Sequence, residues 1–228
     1  MDASSLGATE NVWIGAGGNG AIAVTTNDTS GNTGSQGVPS YFGGTGSAAT
    51  SIVSTNAGFG GTGGTAVSNS SNSGNNSYLF CLPVTNTYSS FTFNSNGFGG
   101  TVLQLQKPLS HGGFGGGIST ADAINSGTSI RLTGGNTSQI ITTVNGGSSS
   151  GGAGNAGSLI TNSASNLFFA SGGSGGGSGN AAGTIAGGVG GAGGPGAGGG
   201  GGGASANGAD SGAGGNGGDG FCMIITYF

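Results

Sequence analysis

GGVGGAGGPGAGGGGGGASANGADSGAGGNGGDG, residues 187–220, keeps a period of three. Positions 187, 190, 193 and onward are Gly except Ser205 and Ser211, and positions 188, 191, 194 and onward hold only Gly or Ala. The third phase carries nearly everything else: Val189, Ala192, Pro195, Ala204, Asn207, Asp210, Ala213, Asn216 and Asp219. A random linker has no reason to hold such a phase.

Three residues per turn is the period of the extended left-handed helix of polyproline and polyglycine, which rises about 3.1 Å per residue. That helix makes no internal hydrogen bonds, so its amides must pair with water or with neighbouring helices. Side chains on two of three positions would hold neighbours apart, whereas glycine lets backbones touch. Collagen is disfavoured, because the repeat is Gly-Gly-X and Pro195 is the only proline in the stretch. The pattern predicts short polyglycine-II helices packed side by side, with X residues outside or at turns.

A flexible Gly/Ser linker is the plainer reading. Ordering costs roughly 1–2 kcal/mol of backbone entropy per residue, so the run can be ordered only if nearly every amide is paired. Two features favour order: the kept phase and the apolar octapeptide FCMIITYF (221–228) that follows. This β-prone run is an aggregation hazard when exposed. It is therefore expected to close a folded body as a buried strand.

Composition narrows the function. Glycine supplies 61 of 228 residues and charged residues only 4 %, against about 25 % in a typical domain. The two cations, Lys107 and Arg131, cannot neutralise a row of phosphates, so nucleic-acid binding is not expected. Cys81 and Cys222 each sit in an apolar run, which leaves a disulfide and free thiols both open. MDASSLGATENVW lacks the basic and apolar regions of a secretory signal, and no apolar stretch approaches 18 residues. An extracellular composition of this kind fits a particle released by lysis, such as a virion; a cleaved precursor would look the same.

The fold class expected is mostly β and irregular, with essentially no α-helix. It divides into a Gly/Ser/Thr/Asn-rich segment (1–75), a strand-rich middle (76–171) and the polyglycine-II bundle (172–228), which together can form one continuous body. Short strands are expected in the first segment. In the middle, YLFCLPV, YSSFTF, TVLQLQ, SIRLT, QIITTV and NLFFA read as strands between Gly/Asn/Ser turns. GFGG recurs at Gly58, Gly97 and Gly113, which suggests phenylalanine packed on bare backbone.

Several motifs suggest chemistry without supporting it. GAGGNG (15–20) satisfies a dinucleotide-binding pattern, but no helical pattern follows it. GGNGGDGFC (214–222) fits one calcium nonapeptide, yet a site needs successive turns and no second aspartate lies nine residues away. His111, the sole histidine, has no apparent partners for a triad or a zinc site and is expected at a turn or surface. No enzyme activity, cofactor or metal is expected.

GGVGGAGGPGAGGGGGG (187–203), followed by GGNGGDGFCMIITYF (214–228), resembles the glycine-rich C-terminal domain of bacteriophage tail-fibre and adhesin proteins. The resemblance is compositional and covers residues 172–228, with weaker echoes in the earlier glycine patches. It implies polyglycine-II helices in a layered body whose variable loops bind a host surface receptor, protein or glycan, on a virion. The strand-rich middle departs from that pattern.

Residue chemistry supports a binding role independently, because neutral Asn, Ser, Thr and Tyr loops on a stiff scaffold make adaptable hydrogen bonds. The candidate loops are 25–41 with Asn32 and Tyr41, 69–77 with Asn72 and Asn75, and 109–121 with His111 and Phe114. Phe221, Ile224, Ile225, Tyr227 and Phe228 form a candidate assembly strand towards other virion proteins or a second copy. The competing readings are a structural subunit of a virion or extracellular filament, and an ice-binding or matrix protein. No membrane insertion is expected.

Overall fold

The structure is a computed structural model that describes residues 6–26, 30–47, 50–54, 63, 102–105, 112–119, 122–133, 140–162, 167–180, 182, 184–222 and 224. Among these residues there is no helix and only a few short strands. Glycine and β-branched residues disfavour helix, and no apolar stripe of helical period offsets that.

Nine consecutive residues, 171–179 (SGGSGGGSG), are all buried. Elsewhere such burial would require large apolar side chains; here hydrogen bonding takes their place. From Gly173 to Gly179 every N–H donates to a carbonyl of another stretch, and the recipient changes in a rotation of three. Gly173, Gly176 and Gly179 donate to Gly198, Gly201 and Ala204; Ser174 and Gly177 to Asn155 and Gly152; Gly175 and Ser178 to Thr128 and Asn125. The carbonyls follow the same rotation, accepting from Gly113 and Gly116, from Gly191 and Gly188, and from Gly147 and Gly151. The central stretch is thus bonded on all sides, and its buried amides are satisfied.

Neighbouring stretches follow two rules of register. Chain-consecutive stretches run antiparallel: Gly194, Gly191 and Gly188 donate to Ser171, Ser174 and Gly177, and Gly218, Gly215 and Gly212 donate to Ala197, Gly200 and Gly203. Alternate stretches run parallel, with Gly187, Gly190, Gly193 and Gly196 donating to Asp210, Ala213, Asn216 and Asp219. The approach leaves no room for side chains: a Cβ built on Gly175 would overlap the Phe114 carbonyl, and one on Gly200 the Ser174 carbonyl. Third-phase residues Val189, Ala192, Pro195, Asn216 and Asp219 are exposed, whereas Ala204 is fully buried.

Short polar side chains supply acceptors where backbone carbonyls do not. The hydroxyls of Ser171, Ser174 and Ser178, all under 2 % exposed, accept from the amides of Ser158, Asn155 and Asn125. On the outer stretch, Asp219 Oδ1, Asn216 Oδ1 and Ser211 Oγ accept from Gly17, Gly20 and Val24 at 2.8–2.9 Å. AIAV (21–24), read above as part of a short-strand segment, instead pairs in this way with 211–214 and forms no strand.

The strands are β1 (Val12–Trp13), β2 (Tyr41–Phe42), β3 (Val53–Ser54), β4 (Val102–Leu105), β5 (Ser129–Thr133), β6 (Ile140–Val144), β7 (Leu159–Asn162) and β8 (Leu167–Ala170). They form sheets β1-β2-β3, β4-β5-β6 and the pair β7-β8, all antiparallel except β4 with β5. TVLQLQ, SIRLT, QIITTV and NLFFA supply β4, β5, β6 and β8; β7 came from residues not read as a strand. YLFCLPV and YSSFTF lie outside the described residues.

Three pairs continue glycine-segment registers without a slip. Leu159↔Ala170 of β7-β8 leads to Ser171 bonded to Ser158, then Ser174 to Asn155. Ile130↔Val144 of β5-β6 leads to Gly127 bonded to Gly147, and Trp13↔Tyr41 of β1-β2 leads to Val38 bonded to Ala16. Where glycine gives way to Leu, Ile, Phe and Thr, side chains need both faces and the pairs become strand ladders.

Among the described residues apolar packing is confined to small spots. Ile118, Ala204 and Ala206 form one buried cluster with Ile124 against it, and Ile130 (fully buried) pairs with Val144 at the root of β5-β6. Of the closing octapeptide, expected as a buried strand, only Phe221, Cys222 and Ile224 are described; they lie in no strand, with Phe221 and Ile224 48 % and 66 % exposed, and the rest lies outside the described residues. Cys222 is an exposed free thiol.

Candidate recognition surface

The register arithmetic sorts the connections into two ends. Following 171–179 forward, the stretches 112–119 and 197–206 run alongside it, while 122–128, 152–158, 186–194 and 210–220 run against it. The pairs β1-β2, β5-β6 and β7-β8 therefore leave from the end where residue 171 lies, as does the chain after Gly220. At the opposite end lie tight turns. Asp122 donates to Ser119, Gly152 to Ser148 and Ala209 to Ala206, and the Asn180 Oδ1 accepts from Thr184 and Ile185. Asn207 and Gly208 have φ of 53° and 94°, the combination a type I′ turn requires.

The described part of the strand end carries exposed aromatic and polar groups. Trp13, 37 % exposed, stands opposite half-buried Tyr41 in the β1-β2 pair. The connection after β2 folds back over the indole: a Cβ on Gly46 would lie 3.0 Å from Trp13 Cε2 and 3.2 Å from its Nε1. Gly43, Gly44 and Gly46 have φ of 74°, 70° and 82°, which lets the loop turn this tightly. Thr50 holds it closed, its Oγ1 lying 2.9 Å from Thr45 Oγ1 and 3.0 Å from Ser47 Oγ and accepting from the Thr45 amide. Thr45, Ser47 and Thr50 are all exposed. Beneath the loop, Glu10 Oε1 accepts from Gly7, and the Asn11 carbonyl accepts from Gly43.

Among the described residues, those expected to bind are not brought together. Tyr41 lies at the strand end beside Trp13, which no sequence motif marks. Asn32 lies in the connection at the opposite end, exposed, its Nδ2 donating to the Ile22 carbonyl at 3.2 Å. Phe114 is 7 % exposed, so its ring packs inside, and its carbonyl accepts from Thr128; it cannot serve as a receptor contact. Asn72, Asn75, His111, Ile225, Tyr227 and Phe228 lie outside the described residues.

Asn216 and Asp219, the polar residues of the calcium-like nonapeptide, direct a side-chain oxygen to the amides of residues 20 and 17 respectively. Among the described residues no cluster of His, Cys, Asp and Glu could hold a metal ion, and no helix is long and apolar enough to cross a membrane. Comparison with protein-family models, curated proteins and solved structures returned no match.

Proposed function

We propose that the chain is a virion-associated, non-enzymatic receptor-binding protein of the tail-fibre adhesin kind, displaying polar and aromatic loops from a bundle of polyglycine-II helices. The period-three rotation of hydrogen bonds around 171–179 supports the helix assignment, because side-by-side packing of that helix needs an interchain bond in each of three directions per turn. The observation that carries the functional reading is the sorting of ends. Three strand pairs leave the glycine body at one end on registers continuous with its own at their roots, so loops there can vary without disturbing the scaffold.

The test is competition for adsorption. Purified protein, added to host cells before the phage whose genome encodes it, should block attachment; unimpaired attachment at saturating protein would overturn the reading. The helix assignment is tested separately by NMR chemical shifts, which should give φ near −75° and ψ near +145° through 173–179.

A second reading, a structural subunit of a virion or filament, is favoured by the exposure of Phe221 and Ile224. It predicts self-association that Phe221→Ser and Ile224→Ser abolish, measured by sedimentation.

A further inference from the structure

We propose that the receptor surface around Trp13 recognises a neutral glycan, an inference that rests on the receptor-binding reading and names its ligand class. A sugar ring offers an apolar C–H face, which an aromatic ring can cover, and a rim of hydroxyls, which short polar side chains can pair. Trp13 provides a large, half-exposed ring whose position is set by the Gly46 backbone against it. Around it stand the exposed hydroxyls of Thr45, Ser47 and Thr50 and, across the strand pair, Tyr41.

The loop is built before any ligand arrives. Three glycines at positive φ set its path, the Thr50 hydroxyl ties its two limbs together, and Asn11 anchors it to β1. A surface ordered in advance avoids much of the entropy cost that weakens small polar ligands. Charge narrows the ligand further: Glu10 Oε2 would lie 3.2 Å from a Cβ on Gly43. A carboxylate beneath the loop suits sugar hydroxyls and opposes sulfated, phosphorylated or sialylated groups.

The experiment uses the full chain on a printed panel of neutral and anionic oligosaccharides, with any neutral binder then titrated by calorimetry. Trp13 is the only tryptophan, so the wild-type titration should also shift the intrinsic fluorescence. Trp13→Ala is expected to weaken binding at least about tenfold, Trp13→Phe less, and Thr50→Val several-fold, with amide spectra of 171–179 unchanged. No neutral binder, preference for anionic glycans, or binding untouched by both Trp13→Phe and Thr50→Val would overturn the proposal. Adsorption blocking without glycan binding would leave the adhesin standing on a protein receptor and sink the glycan. Glycan binding without adsorption blocking would uphold this site and sink the adhesin reading.

Discussion

At Gly175 the difference between order and collapse is one methyl group. Its Cβ would overlap the Phe114 carbonyl, and both partners are backbone that cannot rotate away. Gly175→Ala should therefore destabilise by about 3 kcal/mol or more, at or beyond the upper end of ordinary overpacking. Val189→Ala, at an exposed third-phase position, should stay within about 0.5 kcal/mol. Urea unfolding midpoints of the two variants compare them directly, and equal values would refute the close-packed account. Ser174→Ala removes no bulk worth counting but takes the acceptor from the part-buried Asn155 amide. A loss of about 1–3 kcal/mol is expected for a donor left unsatisfied, and the same denaturation measurement reads it.

For a whole glycine segment, what matters is phase. Stretch 186–194 donates to 210–219 at every third residue and to 171–177 from a second phase, so its sides are not interchangeable. One extra residue between Gly190 and Gly191 would turn third-phase side chains such as Ala192 inward and misalign the carbonyls beyond. That insertion should abolish cooperative unfolding, whereas a Gly-Ser insertion between Asn207 and Gly208 only lengthens a turn and costs about 1 kcal/mol. Thermal melts monitored by far-UV dichroism distinguish the two. Strand elements were more legible: the alternation in SIRLT and QIITTV marks β5 and β6 to within a residue. LITN of β7 lacked a signal of its own, since its pairing with β8 extends a register set in the glycine segments.

On the scale of the molecule, buried contact among the described residues is largely backbone on backbone, with apolar side chains gathered in spots such as Ile118 and Ile130. Heat-capacity change on unfolding follows exposed apolar area and is reduced by exposed polar area. Scanning calorimetry should accordingly give less than the usual 12 cal/mol/K per residue or so; an ordinary value would mean an ordinary side-chain core. The slowest amide exchange should map to 173–179, where every N–H is bonded and buried.

Among the described residues, sequence alone determined the absence of helix, the strands with a clean two-residue alternation, and the outward placing of Val189, Ala192 and Asp219, because backbone and side-chain geometry impose those periods locally. Only the tertiary structure decided that SGGSGGGSG, with no large side chain, lies at the buried centre. It alone separated Asn32 from Tyr41 by the length of the segments, drew Phe114 inside and set Trp13 beneath its loop. A glycine amide carries no mark of the carbonyl it will meet, so partners and ends were fixed by registers between stretches as distant as 17 and 219.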